Sequence, residues 1–313
     1  MDAGDLIMGL ISLSQTTLGI LGNFSFLYHF LFLSFSGCRL RPTDLITKHL
    51  TIANYLFLLF RGVPQTILTF GFSHFLSDLG CKLVFNVHRV GRGVSISITC
   101  LLSVFQAITL IPWNSRWAKL KAKAPRYTGT SIFLCWSLHI LVNVIVPLYV
   151  TGKMSNKNIT KTKDFGYYYA AHHDKSGEPV RVALLSFLDI LCLGIMPWSS
   201  GSMVFILNRH KQRVQHIHGY NLSSRSSPEF RATKTVFLLV CTFVTFYTVS
   251  LTFHVCLGLF SNTSQLMVDI SAVSNAGFPT VSPFVLMSGF SNECKICFAC
   301  MRIRTFHNFL RNM

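Results

Sequence analysis

Long runs of apolar residues alternate with short polar segments along the whole chain. Four runs contain no Asp, Glu, Lys or Arg: 6–35, 127–152, 235–268 and 270–290. Three further apolar runs carry only one or two charged residues each: 46–70, 83–112 and 182–208. About 20 apolar residues in a helix are enough to cross a bilayer. The pattern therefore predicts an all-α bundle of seven membrane-spanning helices, at about 6–35, 46–70, 83–112, 127–152, 182–208, 235–260 and 268–290.

The composition leaves no room for a second domain. Of the 313 residues, 50% are hydrophobic and only 12% are charged, whereas soluble domains carry about 25% charged residues. The longest segment between predicted helices is 152–181. We therefore expect one membrane domain over residues 1–313, ending in a cytoplasmic tail at 291–313.

The distribution of basic residues predicts the orientation. Of the 28 Lys and Arg residues, we place 18 on the side that holds the loop after the first helix and seven on the opposite side. Cytoplasmic loops are enriched in Lys and Arg. We therefore expect the amino terminus outside and the carboxyl terminus in the cytoplasm of a cell-membrane protein. The net charge of +17 forms no stripe on an aqueous domain, so we expect lipid rather than nucleic acid as its partner.

Basic residues cluster in the outer half of the third predicted helix. His88, Arg89 and Arg92 follow its start within about 17 Å, and two or three of them can point together. A buried cation needs a carboxylate, water or an anionic ligand group. Asp189 in the fifth helix and Arg61 in the second lie at comparable depth. We predict that these five residues bind a ligand, although a structural ion pair between the third and fifth helices explains them as well.

Other motifs give modification sites rather than catalysis. The chain has no phosphate-binding Gly loop, no HExxH pair and no Ser nucleophile elbow, so we expect neither an enzyme nor a cofactor or metal. The sequon at Asn158 lies in a predicted outer loop and predicts glycosylation. Cys294, Cys297 and Cys300 follow the last helix on one face. They predict S-palmitoylation, and an unmodified amphipathic tail explains them too.

Several runs closely resemble vomeronasal type-1 receptors, a family of G-protein-coupled receptors. They occur in the same order from residue 21 to residue 300: LGN from Leu21, LRPTDLI from Leu40, GVPQT from Gly62, HRVGRGVSI from His88, CLLSVFQAITL from Cys100, KAPRY from Lys123, LCW from Leu134, SGSMVFIL from Ser200, RHKQRVQHIH from Arg209, SSPEFRATKT from Ser226, SPFVLM from Ser282 and FAC from Phe298. Together they cover all seven predicted helices.

The resemblance implies a receptor for small-molecule or peptide pheromone-like ligands that activates an inhibitory-class heterotrimeric G protein. Basic residues on the expected cytoplasmic side would face that G protein: Arg116, Lys119, Lys121, Arg209, Lys211 and Arg213. The same charges explain equally well the topology and the contact with lipid head groups. A transporter or channel lined by the intramembrane Arg and Asp residues is the alternative, although the chain shows no internal repeat.

Two positions depart from the family pattern. The family usually joins a Cys at the start of the third helix to a Cys in the second outer loop; here Cys81 is present, but Tyr168 occupies the loop position. We therefore expect no disulfide, and a weakened receptor with little signalling is a further alternative. Ala276 and Gly277 also differ from the pattern, and the sequence assigns them no consequence.

Overall fold

The computed structural model describes residues 3–35, 40–70, 77–112, 118–143, 150–152, 162–164, 168–171, 177–218, 228–259 and 270–288. The helices are α1 (Ala3–Phe35), α2 (Pro42–Phe57), α3 (Val63–Thr69), α4 (Asp78–Leu110), α5 (Ala118–Asn143), α6 (Gly177–His218), α7 (Pro228–Leu259) and α8 (Ile270–Ser288). A π-helical turn, Leu58–Gly62, joins α2 to α3. The eight helices thus form seven continuous helical segments within the described ranges.

Five of the described helical segments are long and apolar enough to cross a bilayer: Leu6–Phe35, Leu79–Leu110, Phe187–Arg209, Thr233–Ser250 and Ile270–Ser288. Large apolar side chains on their outward faces and on α5 are exposed, among them Trp198 at 79% and Phe133 at 68%. Contiguous exposure of this kind is unusual for a soluble monomer. In a bilayer, hydrocarbon chains would surround these exposed apolar side chains.

The helix α4 forms the centre of the bundle. It packs against α2, α5, α6 and α7, and 61% of its most apolar window is buried, compared with 22% for α6. Its core residues include Val94, Ile98 and Leu102, which are spaced by four residues and lie on one face. A residue on α4 therefore contacts several helices at once.

Proline explains the irregular turn between α2 and α3. Pro64 has no N–H to donate to the preceding turn, and its ring crowds the carbonyl four residues earlier. The chain responds with a wider turn in which the Val63 N–H bonds to the Leu58 carbonyl, five residues back. Arg61 lies within this turn, so the proline helps to fix where its backbone lies.

Several helices extend beyond the predicted spans into polar sequence. The predicted fourth span began at 127, but α5 begins at Ala118 and includes a basic stretch; α6 continues to His218, ten residues beyond the predicted end. Backbone hydrogen bonds in a helix are local, so a helix does not end where the hydrocarbon ends. The length of an apolar run therefore predicts the part of a helix that lies in the membrane, but it does not predict where the helix begins or ends.

A small antiparallel sheet lies against α4 and was not predicted. Its strands are β1 (Val150–Gly152), β2 (Thr162–Asp164) and β3 (Tyr168–Ala171), in the order β1-β3-β2. The predicted fourth span ran to residue 152, but α5 ends at Asn143 and the residues of β1 are extended, with Gly152 opposite Tyr168. β3 pairs with β1 and provides hydrogen-bond partners for its backbone. The residues of β3 come later in the same loop, and the apolar pattern does not predict this pairing.

The two ends of the bundle differ in character. Arg89, near the start of α4, bonds Asn143 at the end of α5, so the sheet that follows α5 lies at this end, called here the sheet end. At the opposite end, Lys121 near the start of α5 donates to the Ile111 carbonyl at the end of α4. This second end carries the basic stretch of α5 and is called the basic end.

Buried amides connect the helices that surround α4. Asn54 on α2 donates to Ser282 Oγ on α8 at 2.8 Å and accepts from Ser95 Oγ on α4 at 2.6 Å. Asn23 on α1 donates to the Pro279 carbonyl of α8 at 2.9 Å. Both asparagines are fully buried. Asn54 therefore joins three helices through one side chain.

We expect Asn54→Ala to destabilise the bundle by about 1–3 kcal/mol, because it leaves two buried hydroxyls without their shared partner. The measurement is the midpoint of thermal unfolding of the purified protein in detergent at a fixed heating rate. Ser25→Ala is the control, since Ser25 is exposed and its hydroxyl bonds the Leu21 carbonyl of its own helix. Equal midpoints for the two variants would show that the Asn54 contacts contribute nothing.

Candidate functional site

A cavity that is partly open to the outside lies between α2, α4, α7 and α8, and the empty space of about 400 Å³ at this place includes open solvent. Four phenylalanine rings form much of its wall: Phe57, Phe243, Phe246 and Phe278. The polar lining includes Arg92, Tyr247 and Ser250. The cavity is thus a mainly aromatic space with a few polar groups.

The residues of α7 that reach the cavity share one helical face. Phe243, Phe246, Tyr247 and Ser250 are spaced by three, four and seven residues, as expected for one side of a helix. The sequence analysis did not identify them, because it concentrated on charged residues within apolar spans. The available signal was a polar hydroxyl and a phenol at helical spacing within an otherwise apolar face.

Arg92, Tyr247 and Asp189 form a polar link between three helices. The Arg92 guanidinium on α4 lies 5.5 Å from the centroid of the Tyr247 ring on α7. The Tyr247 hydroxyl donates to Asp189 Oδ2 on α6 at 3.3 Å. Arg92 also lies within electrostatic reach of Asp189. Of the predicted ligand-binding residues, Arg92 is the one that lines this cavity, and Asp189 lies behind Tyr247.

The other basic residues predicted for the site have different surroundings. Arg89 Nε donates to Asn143 Oδ1 on α5 at 3.2 Å, and its guanidinium lies 5.5 Å from the Phe85 ring centroid. His88 bonds the Val84 carbonyl and contacts the rings of Phe57 and Phe85 edge-on. Arg61 in the π-helical turn lies within electrostatic reach of His88. Arg89 and Arg92, which are close in sequence, therefore contact different helices, α5 and α7.

Ser250 has an unusual position in the cavity wall. Its side chain is only 2% exposed, and no residue that the structure describes hydrogen-bonds its Oγ. Serine and threonine in apolar helices usually bond a carbonyl of the preceding turn, as Thr248 does with the Val244 carbonyl on the same helix. A buried hydroxyl without a partner costs free energy; Ser200 and Ser271 share this condition, and Ser250 is the one of the three that lines the cavity.

The predicted G-protein-facing residues lie mostly at the basic end. Lys119 and Arg209 are exposed, while Lys121 caps the end of α4 through the Ile111 carbonyl. Lys211 and Arg213 lie on α6, and Arg116 is outside the described residues. Lys121 thus has a structural contact that the sequence did not indicate.

Other predicted sites fall largely outside the described ranges. Asn158, the tail cysteines Cys294, Cys297 and Cys300, and the tail at 291–313 are not described. Cys81 is buried near the start of α4, and Tyr168 begins β3. Within the described ranges, no three His, Cys, Asp or Glu side chains are placed to hold a metal ion.

Comparison with known proteins gives a consistent result over the whole bundle. The vomeronasal organ pheromone receptor family matches residues 6–299. Human vomeronasal type-1 receptor 4 is 56% identical over 290 residues, covering 93% of this chain and 96% of that protein. Human vomeronasal type-1 receptor 2 is 51% identical over 300 residues, covering 95% of this chain and 76% of that protein.

A more distant relative comes from a fish. Olfactory receptor class A-like protein 1 of Danio rerio is 30% identical over 289 residues, covering 92% of this chain and 90% of that protein. These alignments cover the cavity and the helices that form it. The similarity is therefore not confined to one motif or one end of the chain.

We expect Tyr247→Phe and Ser250→Ala to change stability in different ways. Tyr247→Phe removes the bond to Asp189 and should cost about 0.5–2 kcal/mol, whereas Ser250→Ala removes a hydroxyl that has no partner among the described residues and should leave stability unchanged or raise it. Thermal unfolding midpoints without ligand test both. A Ser250→Ala midpoint that falls as far as that of Tyr247→Phe would contradict the description of Ser250.

Proposed function

Because the chain belongs to the vomeronasal type-1 receptor family, we propose that it binds a chemosensory ligand in the central cavity and activates an inhibitory-class heterotrimeric G protein. Membership of the family makes the chain a multi-pass membrane protein and a seven-helix chemosensory G-protein-coupled receptor, as predicted. This is a receptor family rather than a known family of enzymes. The ligand site and the class of G protein are the proposal.

The observation that carries the ligand site is a cation and an orphan hydroxyl within one aromatic cavity. Arg92 lines the cavity, with its guanidinium 5.5 Å from the centroid of the Tyr247 ring, and a guanidinium carries five N–H donors, one of which would serve an acceptor on a ligand. Ser250 offers a second hydrogen bond, and the phenylalanine rings cover an apolar body. A small molecule that combines an apolar body with polar acceptors fits this arrangement.

The surroundings of Arg92 indicate how binding would be transmitted. Arg92, Asp189 and Tyr247 belong to α4, α6 and α7, so a ligand that accepts a hydrogen bond from Arg92 alters contacts among three helices. A ligand shifts a conformational equilibrium only through its different affinity for the two states. Competition for Arg92 provides such a difference, which α7 in the cavity wall and α6, joined to it through Asp189, would carry to the basic end.

We propose that the sheet end faces outward and that the basic end faces the cytoplasm. The enrichment of Lys and Arg at the basic end supports this orientation. Exposed Lys119 and Arg209, with Lys211 and Arg213 on α6 and Arg116, would then meet the G protein or lipid head groups. The ligand would enter the cavity from the outer side.

The test is inhibition of cyclic AMP formation in cells that display the receptor, screened with steroid, volatile and peptide cue mixtures. We expect a saturable response that pertussis toxin abolishes, because the toxin uncouples inhibitory-class G proteins. A response that survives the toxin would overturn the assignment of the G protein. No response to any mixture despite surface display would count against the proposed receptor function.

We expect Arg92→Gln to raise the half-maximal concentration of an active cue by about 10- to 100-fold, since a charge-assisted hydrogen bond is lost. Arg89→Gln is the matched control. It removes the same charge about one turn away on α4, and Arg89 contacts Asn143 and not the cavity. Both are measured at equal surface display. Equal shifts for the two variants would contradict a direct role of Arg92 in the cavity.

Ser250→Ala separates ligand contact from structural support. We expect it to raise the half-maximal concentration by about 3- to 10-fold, the effect of one neutral hydrogen bond, without any loss of thermal stability. A variant with unchanged potency would show that the ligand does not use the hydroxyl.

A further inference from the structure

Gly277 on α8 lies directly against the ring of Phe246 on α7. A Cβ atom at residue 277 would overlap Cε1 and Cδ1 of that ring and would lie 2.8 Å from Cζ. Cβ atoms essentially never approach other heavy atoms below 3.0 Å. The ring therefore occupies the space that a side chain at residue 277 would need.

This contact differs from those of the other described glycines. At Gly129, Gly194 and Gly201 an added Cβ would have no atom within 4 Å. At Gly93 it would meet the His139 ring, which belongs to the contact between α4 and α5. Among the glycines described in helices, Gly277 is the one where the ring of a cavity-lining residue fills the missing side chain.

We propose that Gly277 determines the size of ligand that the receptor accepts, by letting the Phe246 ring lie back against α8. The inference rests on the proposed function, because the width of the cavity matters only if the ligand binds there. With any larger residue at 277, Phe246 would turn away from α8 into the cavity. Gly277 thus acts as a specificity-determining residue without touching the ligand.

The half-buried Phe246 ring lines the cavity and meets Gly277 of α8. On the cavity side, Phe243 and Tyr247 of the same wall stack at 5.8 Å, and Phe243 contacts Phe278 edge-on at 4.8 Å. On the other side, α8 blocks movement once a methyl group is present. Aromatic side chains change position by moving between discrete rotamers, so one added methyl moves a whole ring. The cavity with Gly277 should admit compact ligands that contain a ring, and the narrowed cavity should admit only slimmer ones.

The experiment uses methyl and benzyl methanethiosulfonate as probes of different width. Ser274 lines the cavity, so Ser274→Cys introduces a thiol there. Its thiolate attacks the sulfenyl sulfur of the reagent, forms a mixed disulfide and releases methanesulfinate. The receptor is held in lipid nanodiscs, and mass spectrometry of the peptide containing residue 274 separates this reaction from those of the ten native cysteines.

We expect Gly277→Ala, in the Ser274→Cys background, to slow the benzyl reagent at least about tenfold and the methyl reagent by less than about twofold. Gly194→Ala is the matched control, because its Cβ meets no atom within 4 Å. Adding Phe246→Leu to Gly277→Ala should restore the benzyl rate. Phe246→Leu with Gly277 intact should accelerate the benzyl reagent selectively, which tests the inference even if Gly277→Ala fails to fold.

The outcomes separate this inference from the proposed function. Reaction of both reagents with rates that Gly277→Ala leaves unchanged, or lowers equally, would overturn the size-determining role while leaving the cavity as the ligand site. A faster benzyl reaction in Gly277→Ala would also overturn it, because the ring would then have moved outward. Reaction with neither reagent when Gly277 is intact would show that the cavity admits no small molecule, and both proposals would fall.

Discussion

The absence of water inside a bilayer is the constraint that shapes this protein throughout. Each polar group within the bundle must find a partner in the protein. Many hydroxyls do so locally: Thr51 and Thr99 bond carbonyls of their own helices. Larger polar side chains reach across instead, as Asn54 does to Ser95 and Ser282. The interhelical hydrogen bonds therefore fix which helix faces α4 and at what height.

The cavity is one of the places where this rule is not fully met. Ser250 lines the cavity and its hydroxyl has no partner among the described residues. Elsewhere in the interior, apolar side chains such as Val94 and Ile98 fill the space between helices. Polar capacity without a protein partner, together with unfilled volume, is a property that a bound molecule can satisfy. Other buried polar atoms such as Ser200 Oγ and Ser271 Oγ also have no partner among the described residues, so the coincidence with unfilled volume is what supports the candidate site.

The charged cluster on α4 shows why helical position matters more than proximity in sequence. Arg89 and Arg92 are three residues apart, yet Arg89 contacts Asn143 on α5 and Arg92 contacts Tyr247 on α7. Residues three apart on a helix point only about 60° away from each other, yet at these two angles the neighbouring helices are different. The sequence predicted one basic cluster; the packing gives the two arginines separate environments.

The family, the helical architecture and the location in a membrane all follow from the sequence alone, because apolar length and the order of short motifs are properties of local sequence. The sequence analysis also identified Arg92 and Asp189 as polar residues that need partners. It did not identify Tyr247 as the side chain between them, Ser250 as a buried hydroxyl that none of the described residues bonds, or the space behind Gly277 that the Phe246 ring fills. Those features depend on which helix faces which. Packing in three dimensions settles that matter, since the partners from α4, α6, α7 and α8 are far apart in the chain.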